Sequence, residues 1–374
     1  MNKTQELHAA GQSIWYDNIQ RGLLSNGALA GMIARGEVRG VTSNPTIFMN
    51  AITKSQDYDA GLAPLARASW SAEDIFWQLA IEDIQRASDL FRPMYEESRG
   101  GDGYVSLEVS PYLAEDVDGT LAAAKRLWQR VDRPNLMVKI PATEAGLPAI
   151  AAAVAAGINV NVTLIFSNER YAAVMDAYLK GLEERSAQGL PLDSVASVAS
   201  FFVSRVDTKV DGRLMGMIAR GMTGAEEATR LLGRAAIANA RLAYADFKEL
   251  FSADRFQALQ ARGARVQRPL WASTGTKNTA YRDVVYVEEL IGPNTVNTVP
   301  PQTLAAFLDH GDVRPGSLEE NLPEAAQVLI ALEALGISMS TVTLELEQEG
   351  VKSFADAFTA LLDGVEVSRR KAVS

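Results

Sequence analysis

The 374-residue chain predicts an α/β protein built as a (β/α)₈ TIM barrel with extra helices at its C-terminus. Two observations carry that expectation. Eight short apolar runs alternate with helical stretches between Ser13 and Leu308, the pattern of a parallel sheet, and eight strands is the number that closes a barrel. No linker divides this stretch, and a composition of 47% hydrophobic and 22% charged residues is enough for one large core.

In chain order, Thr4 to Gly11 reads as a short helix and SIWYDNI (13–19) as the first strand, ending near Asp17. A helix over 23–35 leads to RGVTSNPTIF (39–48), a second strand broken at Asn44-Pro45 because the residue before proline avoids the helical region. Ser71 is placed to cap a helix running to about Leu90, with Asp74 adding negative charge in its first turn. YVSLEVSPYL (104–113) is the third strand and NLMVKIP (135–141) the fourth, with a helix over 116–130 between them. A helix over 143–155 precedes the fifth strand, INVNVTLIF (158–166), and one over 168–185 precedes the sixth, SVASVASFFVSRVD (194–207). Helices over 206–220 and 224–251 lead to RPLWAST (268–274), the seventh. A short helix over 284–290, the eighth strand PNTVNTVP (293–300) and a helix over 303–308 complete a barrel of residues 1–310. Residues 311–374 repeat apolar positions at helical spacing in LEENLPEAAQVLIALEAL and SFADAFTALLDGVEVSRR, which predicts a helical extension packed on the barrel as part of a single domain.

Composition excludes several chemistries. The net charge, 36 − 46 = −10, argues against a nucleic-acid or acidic-membrane partner, since both need clustered Lys and Arg. With no cysteine there is no disulfide, thiolate nucleophile or cysteine-held metal. His8 and His310 stand far apart, a poor basis for a histidine-rich metal site or a Ser-His-Asp triad. The first residues lack an apolar segment followed by a small-residue cleavage site, and no run approaches the roughly 20 apolar residues of a membrane span. The expectation is a soluble cytoplasmic protein, compatible with a monomer or a homodimer.

Strands of a parallel barrel normally read as continuous apolar runs, because both faces are covered. Several here alternate. Ser106, Glu108 and Ser110 share one face against Val105, Leu107 and Val109, and Asn159, Asn161 and Thr163 oppose Val160, Val162 and Leu164. Ser13, Trp15 and Asp17 fall together in the first strand, and Gly40, Thr42 and Asn44 in the second. Lys139 joins Met137 and Asn135 opposite Leu136, Val138 and Ile140. Turning the apolar faces toward the helices places Asp17, Asn44, Glu108, Lys139, Asn161 and Thr163 around one axis, mostly near the carboxyl ends of strands, where barrel enzymes keep their active sites. An ammonium in such an interior is either held in a buried ion pair or perturbed by desolvation so that it attacks a carbonyl. A polar interior with one amine and two carboxylates favours acid/base chemistry on a polar substrate, because a barrel filled for stability alone uses Val, Ile and Leu.

Phosphate-binding candidates follow the later strands: Ser200 and Arg205 flank the end of the sixth, and STGTKN after the seventh supplies Ser273, Gly275 and Lys277. Hydroxyls, a glycine that admits backbone N–H groups and two cations suit a phosphate dianion. The GxxxxGK spacing of a Walker loop is missing, and Arg205 and Lys277 also read as surface charges.

At these residues the chain resembles transaldolases of the longer, single-enzyme type. The blocks GVTSNPTIF, VSLEVSPYLAEDVDGT, NLMVKIPATEAGLPAI, GINVNVTLIFS, SVASFFVSRVD and WASTGTKN occur in the family's order. The resemblance implies a class I barrel that moves a dihydroxyacetone unit between sugar phosphates of the pentose phosphate pathway, with no metal or organic cofactor. It makes Lys139 the Schiff-base nucleophile, Glu108 with Thr163 the holders of a catalytic water, and Asp17 the base for the C4 hydroxyl. Asn44 and Asn161 would bind the ketose unit, Ser200, Arg205 and Lys277 the phosphate, and Phe202 would wall the site. Two departures stand out. Lys277 occupies a position where many members carry arginine, replacing a bidentate fork by a point charge, and Phe201 stands where the family usually has proline. Two readings compete with transfer: a Schiff-base aldolase that releases dihydroxyacetone, and a catalytically silent barrel that binds sugar phosphates.

Overall fold

The computed structural model describes residues 1–373. Seven strands, β1 (Gln12–Tyr16), β2 (Val105–Glu108), β3 (Leu136–Pro141), β4 (Val160–Ile165), β5 (Ser197–Phe202), β6 (Gln267–Ala272) and β7 (Thr295–Val299), form one parallel sheet in the order β1-β7-β6-β5-β4-β3-β2. Helices in the connections surround this curled sheet, as an α/β fold with parallel strands requires.

The expected second strand, 39–48, is not a strand. Only Val41 bridges, to Tyr16 on one side and Val105 on the other. Around it, Tyr16 N donates to Gly40 O at 2.9 Å and Ser106 N donates to Val41 O at 3.0 Å, so a few extended residues lie between the two edge strands. The chain then turns into helix Pro45–Thr53, with Asn44 Oδ1 accepting from Ile47 N at 3.0 Å as its N-cap. Proline explains the outcome: its missing N–H and fixed φ suit the first helical turn and end the extended segment. Gly40 is required by close approach, since a Cβ there would lie 2.7 Å from the Trp15 indole, which is fully buried.

Other boundaries differ for local reasons. The third predicted strand stops at Glu108 and Pro111–Leu113 is a 3₁₀ turn, while the sixth stops at Phe202 and helix Ser204–Ala219 follows. The helix expected over 23–35 is two, Arg21–Ser25 and Ala28–Ala34, separated by Gly27 at φ +80°. The one over 224–251 is likewise split into Ala225–Leu231 and Ala235–Ser252 around Gly233 at φ +70°. Ser71 caps helix Ala72–Glu97 as expected, its Oγ accepting from Asp74 N at 3.1 Å, but the helix runs well past Leu90. Helix Asp254–Gln260 was not foreseen.

Two long helices end the chain. Leu322–Ala334 packs on Ala235–Ser252. Met339–Val373 lies against helices Pro45–Thr53, Asp59–Arg67 and Ala72–Glu97, burying Val342, Leu346, Phe354, Phe358, Leu361 and Val365 at the spacing of a helical face. Among the described residues no single helix is long and apolar enough to cross a membrane.

Candidate active site

Register assembles the centre. In the β2–β3 pairing Glu108 stands beside Lys139, and in the β3–β4 pairing Lys139 stands beside Asn161, with Pro141 beside Thr163. Three neighbouring strands therefore present a carboxylate, an amine and an amide at one level, because all three alternate with the same parity.

Lys139 is 5% exposed. Its Nζ donates to the Ser43 carbonyl at 2.9 Å and lies 3.4 Å from Glu108 Oε2. That carboxylate oxygen has no hydrogen-bond partner, so the pair attracts through charge without a well-formed hydrogen bond. Burial pushes the Glu108 carboxyl above its ordinary range, opposed by the Lys139 charge. Burial also raises Asp17, opposed by Thr42 Oγ1, which donates to Asp17 Oδ1 at 2.7 Å, and by the charges of Lys139 and Lys277.

A cavity of about 230 Å³ opens above the amine. Of the residues named from sequence, Asp17, Asn44, Lys139, Thr163, Ser200, Phe202, Arg205, Ser273 and Lys277 line it. Glu108 and Asn161 do not. Glu108 faces a separate void of about 10 Å³ walled by Phe48, Phe76, Trp77 and Phe358, about the room one water needs. Asn161 is fully buried, donating through Nδ2 to Ser106 Oγ at 3.0 Å and accepting at Oδ1 from Ser200 Oγ at 2.7 Å. Thr163 Oγ1, like Glu108 Oε2, is buried without a protein partner.

The phosphate candidates line the same cavity. Ser273, at φ +55°, carries its Oγ 3.0 Å from Ser204 Oγ, and its carbonyl accepts from Ser204 N, which ties the loop after β6 to the helix that starts with Ser204-Arg205. The Arg205 guanidinium lies over the Phe202 ring at 5.4 Å and makes no hydrogen bond or ion pair to the protein among the described residues. Burial pulls its pKa down, with Glu349 opposing. Lys277 is exposed at the rim and likewise has no ion-pair partner among the described residues. Two cations left free in this way match a site that receives an anion.

Several lining residues escaped the sequence reading. Thr42 and Thr298 share a 2.5 Å hydroxyl contact at the Asp17 side. The alternation that grouped Thr42 with Asn44 already pointed to Thr42. Phe354, from helix Met339–Val373, lines the cavity with its ring centroid 5.9 Å from Lys139 Nζ. Nothing in the local sequence marks it, since it reads as one apolar position of an amphipathic helix. Among the described residues no three His, Asp or Glu side chains converge to hold a metal ion.

Comparison with known proteins places nearly the whole chain beside one family. The family described as transaldolase/fructose-6-phosphate aldolase matches residues 14–365. The chain is 52% identical over 361 residues to a transaldolase of Saccharopolyspora erythraea and 52% identical over 361 residues to one of Thermobifida fusca, covering 96% of both chains in each case. It is 50% identical over 364 residues to transaldolase 1 of Streptomyces coelicolor, covering 97% of this chain and 94% of the relative.

Proposed function

The chain belongs to the transaldolase/fructose-6-phosphate aldolase family, and from that premise we propose that Lys139 is the amine through which it works. Its activity is that of a transaldolase: it moves a dihydroxyacetone unit from a ketose phosphate to an aldose phosphate through a lysine Schiff base. The donor is sedoheptulose 7-phosphate or fructose 6-phosphate, and the acceptor glyceraldehyde 3-phosphate or erythrose 4-phosphate, as in the pentose phosphate pathway.

The observation that carries the reading is the buried juxtaposition of Lys139 Nζ and Glu108 at 3.4 Å beside a cavity that Arg205 and Lys277 also line. In its unprotonated form Lys139 attacks the ketose C2, and Glu108 donates a proton as the carbinolamine hydroxyl leaves as water. Glu108 Oε2 and Thr163 Oγ1, both buried with no hydrogen-bond partner among the described residues, suit the handling of that water. Asp17 takes the C4 hydroxyl proton as the C3–C4 bond breaks. The bonding pair passes into the iminium, the aldose phosphate leaves, and an enamine remains on Lys139. Attack of that enamine on the acceptor aldehyde, with Asp17 returning a proton to the new alkoxide, reverses the sequence. Asn44 orients the ketose unit and Phe202 walls it, Ser200, Arg205, Ser273 and Lys277 hold the phosphate, and Asn161, which does not reach the cavity, positions Ser200 by accepting from its hydroxyl.

On this reading the fold is a (β/α)₈ barrel in which residues 39–42 stand in the place of the second strand, residues 1–310 form the catalytic barrel, and 311–374 are an extension in the same domain. Such an enzyme works in the cytoplasm. The reading is tested by following glyceraldehyde 3-phosphate released from fructose 6-phosphate with and without erythrose 4-phosphate. Turnover that depends on the acceptor supports transfer; equal turnover without it supports the aldolase alternative.

A further inference from the structure

Helix Met339–Val373 is held over the cavity from two sides. On one, Glu345 pairs with Lys209 at 2.8 Å and Arg213 at 2.7 Å, and Glu347 with Arg170 at 3.1 Å. On the other, Phe358 sits edge-on to Phe76 and Tyr112, with ring centroids at 5.5 and 5.3 Å, and Tyr112 Oη shares a 2.7 Å contact with Thr359 Oγ1. Between these anchors Gly350 lets the helix approach β4 so closely that a Cβ would lie 2.9 Å from Leu164 Cδ2. Glycine inside a helix costs about 0.5–1 kcal/mol relative to alanine, so the close approach is what it serves. The result is to press Phe354, 5% exposed, into the cavity that the amine of Lys139 lines. At 5.9 Å from Nζ the ring is at the outer limit of a cation–π contact, so its main physical effect is to occupy space that water would take.

We propose that Phe354 is a specificity-determining residue that keeps solvent from the enamine on Lys139 and thereby sets the ratio of transfer to dihydroxyacetone release; the proposal rests on Lys139 being the Schiff-base amine. The competing reaction begins when the nucleophilic enamine carbon takes a proton delivered by water, so that its electron pair forms a C–H bond and the nitrogen becomes an iminium again. Water then adds to C2, the C–N bond breaks, and dihydroxyacetone and the protonated Lys139 amine are released. That hydrolysis consumes the water lost in forming the imine, so the net reaction is aldol cleavage. A dry wall slows the protonation and the hydrolysis alike, while an acceptor aldehyde that fills the cavity is not excluded.

The test compares Phe354→Ala and Phe354→Leu with the unmodified enzyme. Dihydroxyacetone release from fructose 6-phosphate alone is divided by transfer to erythrose 4-phosphate, and borohydride trapping on Lys139 is followed in parallel. Phe354→Ala is expected to raise the ratio about tenfold or more, and Phe354→Leu, which keeps the apolar volume, to stay near the unmodified value. Where the alanine variant does not fold, Phe354→Val carries the same prediction with a smaller rise. A ratio unmoved in a folded variant that still traps at Lys139 overturns the proposal, whereas absence of trapping in the unmodified enzyme overturns the assignment of Lys139 instead.

Discussion

Lys139 Nζ lies 3.4 Å from Glu108 Oε2 yet spends its hydrogen bond on the Ser43 carbonyl at 2.9 Å. A pair built for stability would saturate the carboxylate, because a buried charge is costly unless paired and hydrogen-bonded. Here Oε2 is left without a partner and burial favours its protonated form. On the proposed mechanism Glu108 gives and takes a proton rather than locking the ammonium.

Glu108→Gln keeps the shape but cannot exchange a proton. It should slow Schiff-base formation about 10²–10⁴-fold, the usual weight of a general acid–base, with a smaller change in KM. Rapid-quench borohydride trapping measures this step directly, and a loss below tenfold would remove Glu108 from the role.

In the proposed mechanism Asp17 must be ionised to accept the C4 proton, and burial holds its pKa above the ordinary carboxylate range. The acid limb of the kcat profile therefore lies at higher pH than a free aspartate would give. Thr42 donates to Asp17 Oδ1 and lowers that pKa, so Thr42→Val should move the limb to still higher pH. A limb that stays in place or moves down would separate Asp17 from the step. Asp17→Asn should form the trapped Schiff base but release no aldose phosphate.

Among the described residues the Arg205 guanidinium, which lies over the Phe202 ring, has no hydrogen-bond or ion-pair partner, so its charge-assisted bonds are available to substrate. Arg205→Ala should raise KM for fructose 6-phosphate about 10–100-fold, matching 1.5–3 kcal/mol for a hydrogen bond to a charged group. The exposed Lys277 is more strongly screened, so Lys277→Ala should cost less and its effect should fade as salt rises. Steady-state kinetics with unphosphorylated ketoses provides the control, since equal losses there would contradict a phosphate role.

The polar strand faces were legible in the sequence because a strand's period of two leaves Ser106 and Glu108, or Asn161 and Thr163, at fixed parity whatever surrounds them. The parallel α/β architecture followed from a different pattern, short apolar runs alternating with helical stretches along the chain. Residues 39–48 were misread because Asn44-Pro45 signals both a broken strand and a capped helix start, and only the bonds around Val41 distinguish them. Phe354 and the Ser43 carbonyl were invisible for a different reason. Each reaches Lys139 across a long sequence separation, through packing that no local pattern encodes.

The central claim is that Lys139 forms the covalent intermediate. Borohydride reduction in the presence of fructose 6-phosphate, followed by proteolysis and peptide mass spectrometry, tests it most directly. The account predicts a reduced dihydroxyacetone adduct on the peptide containing Lys139 and none in Lys139→Met. An adduct on another lysine, or no adduct under conditions where the enzyme turns over, would contradict it.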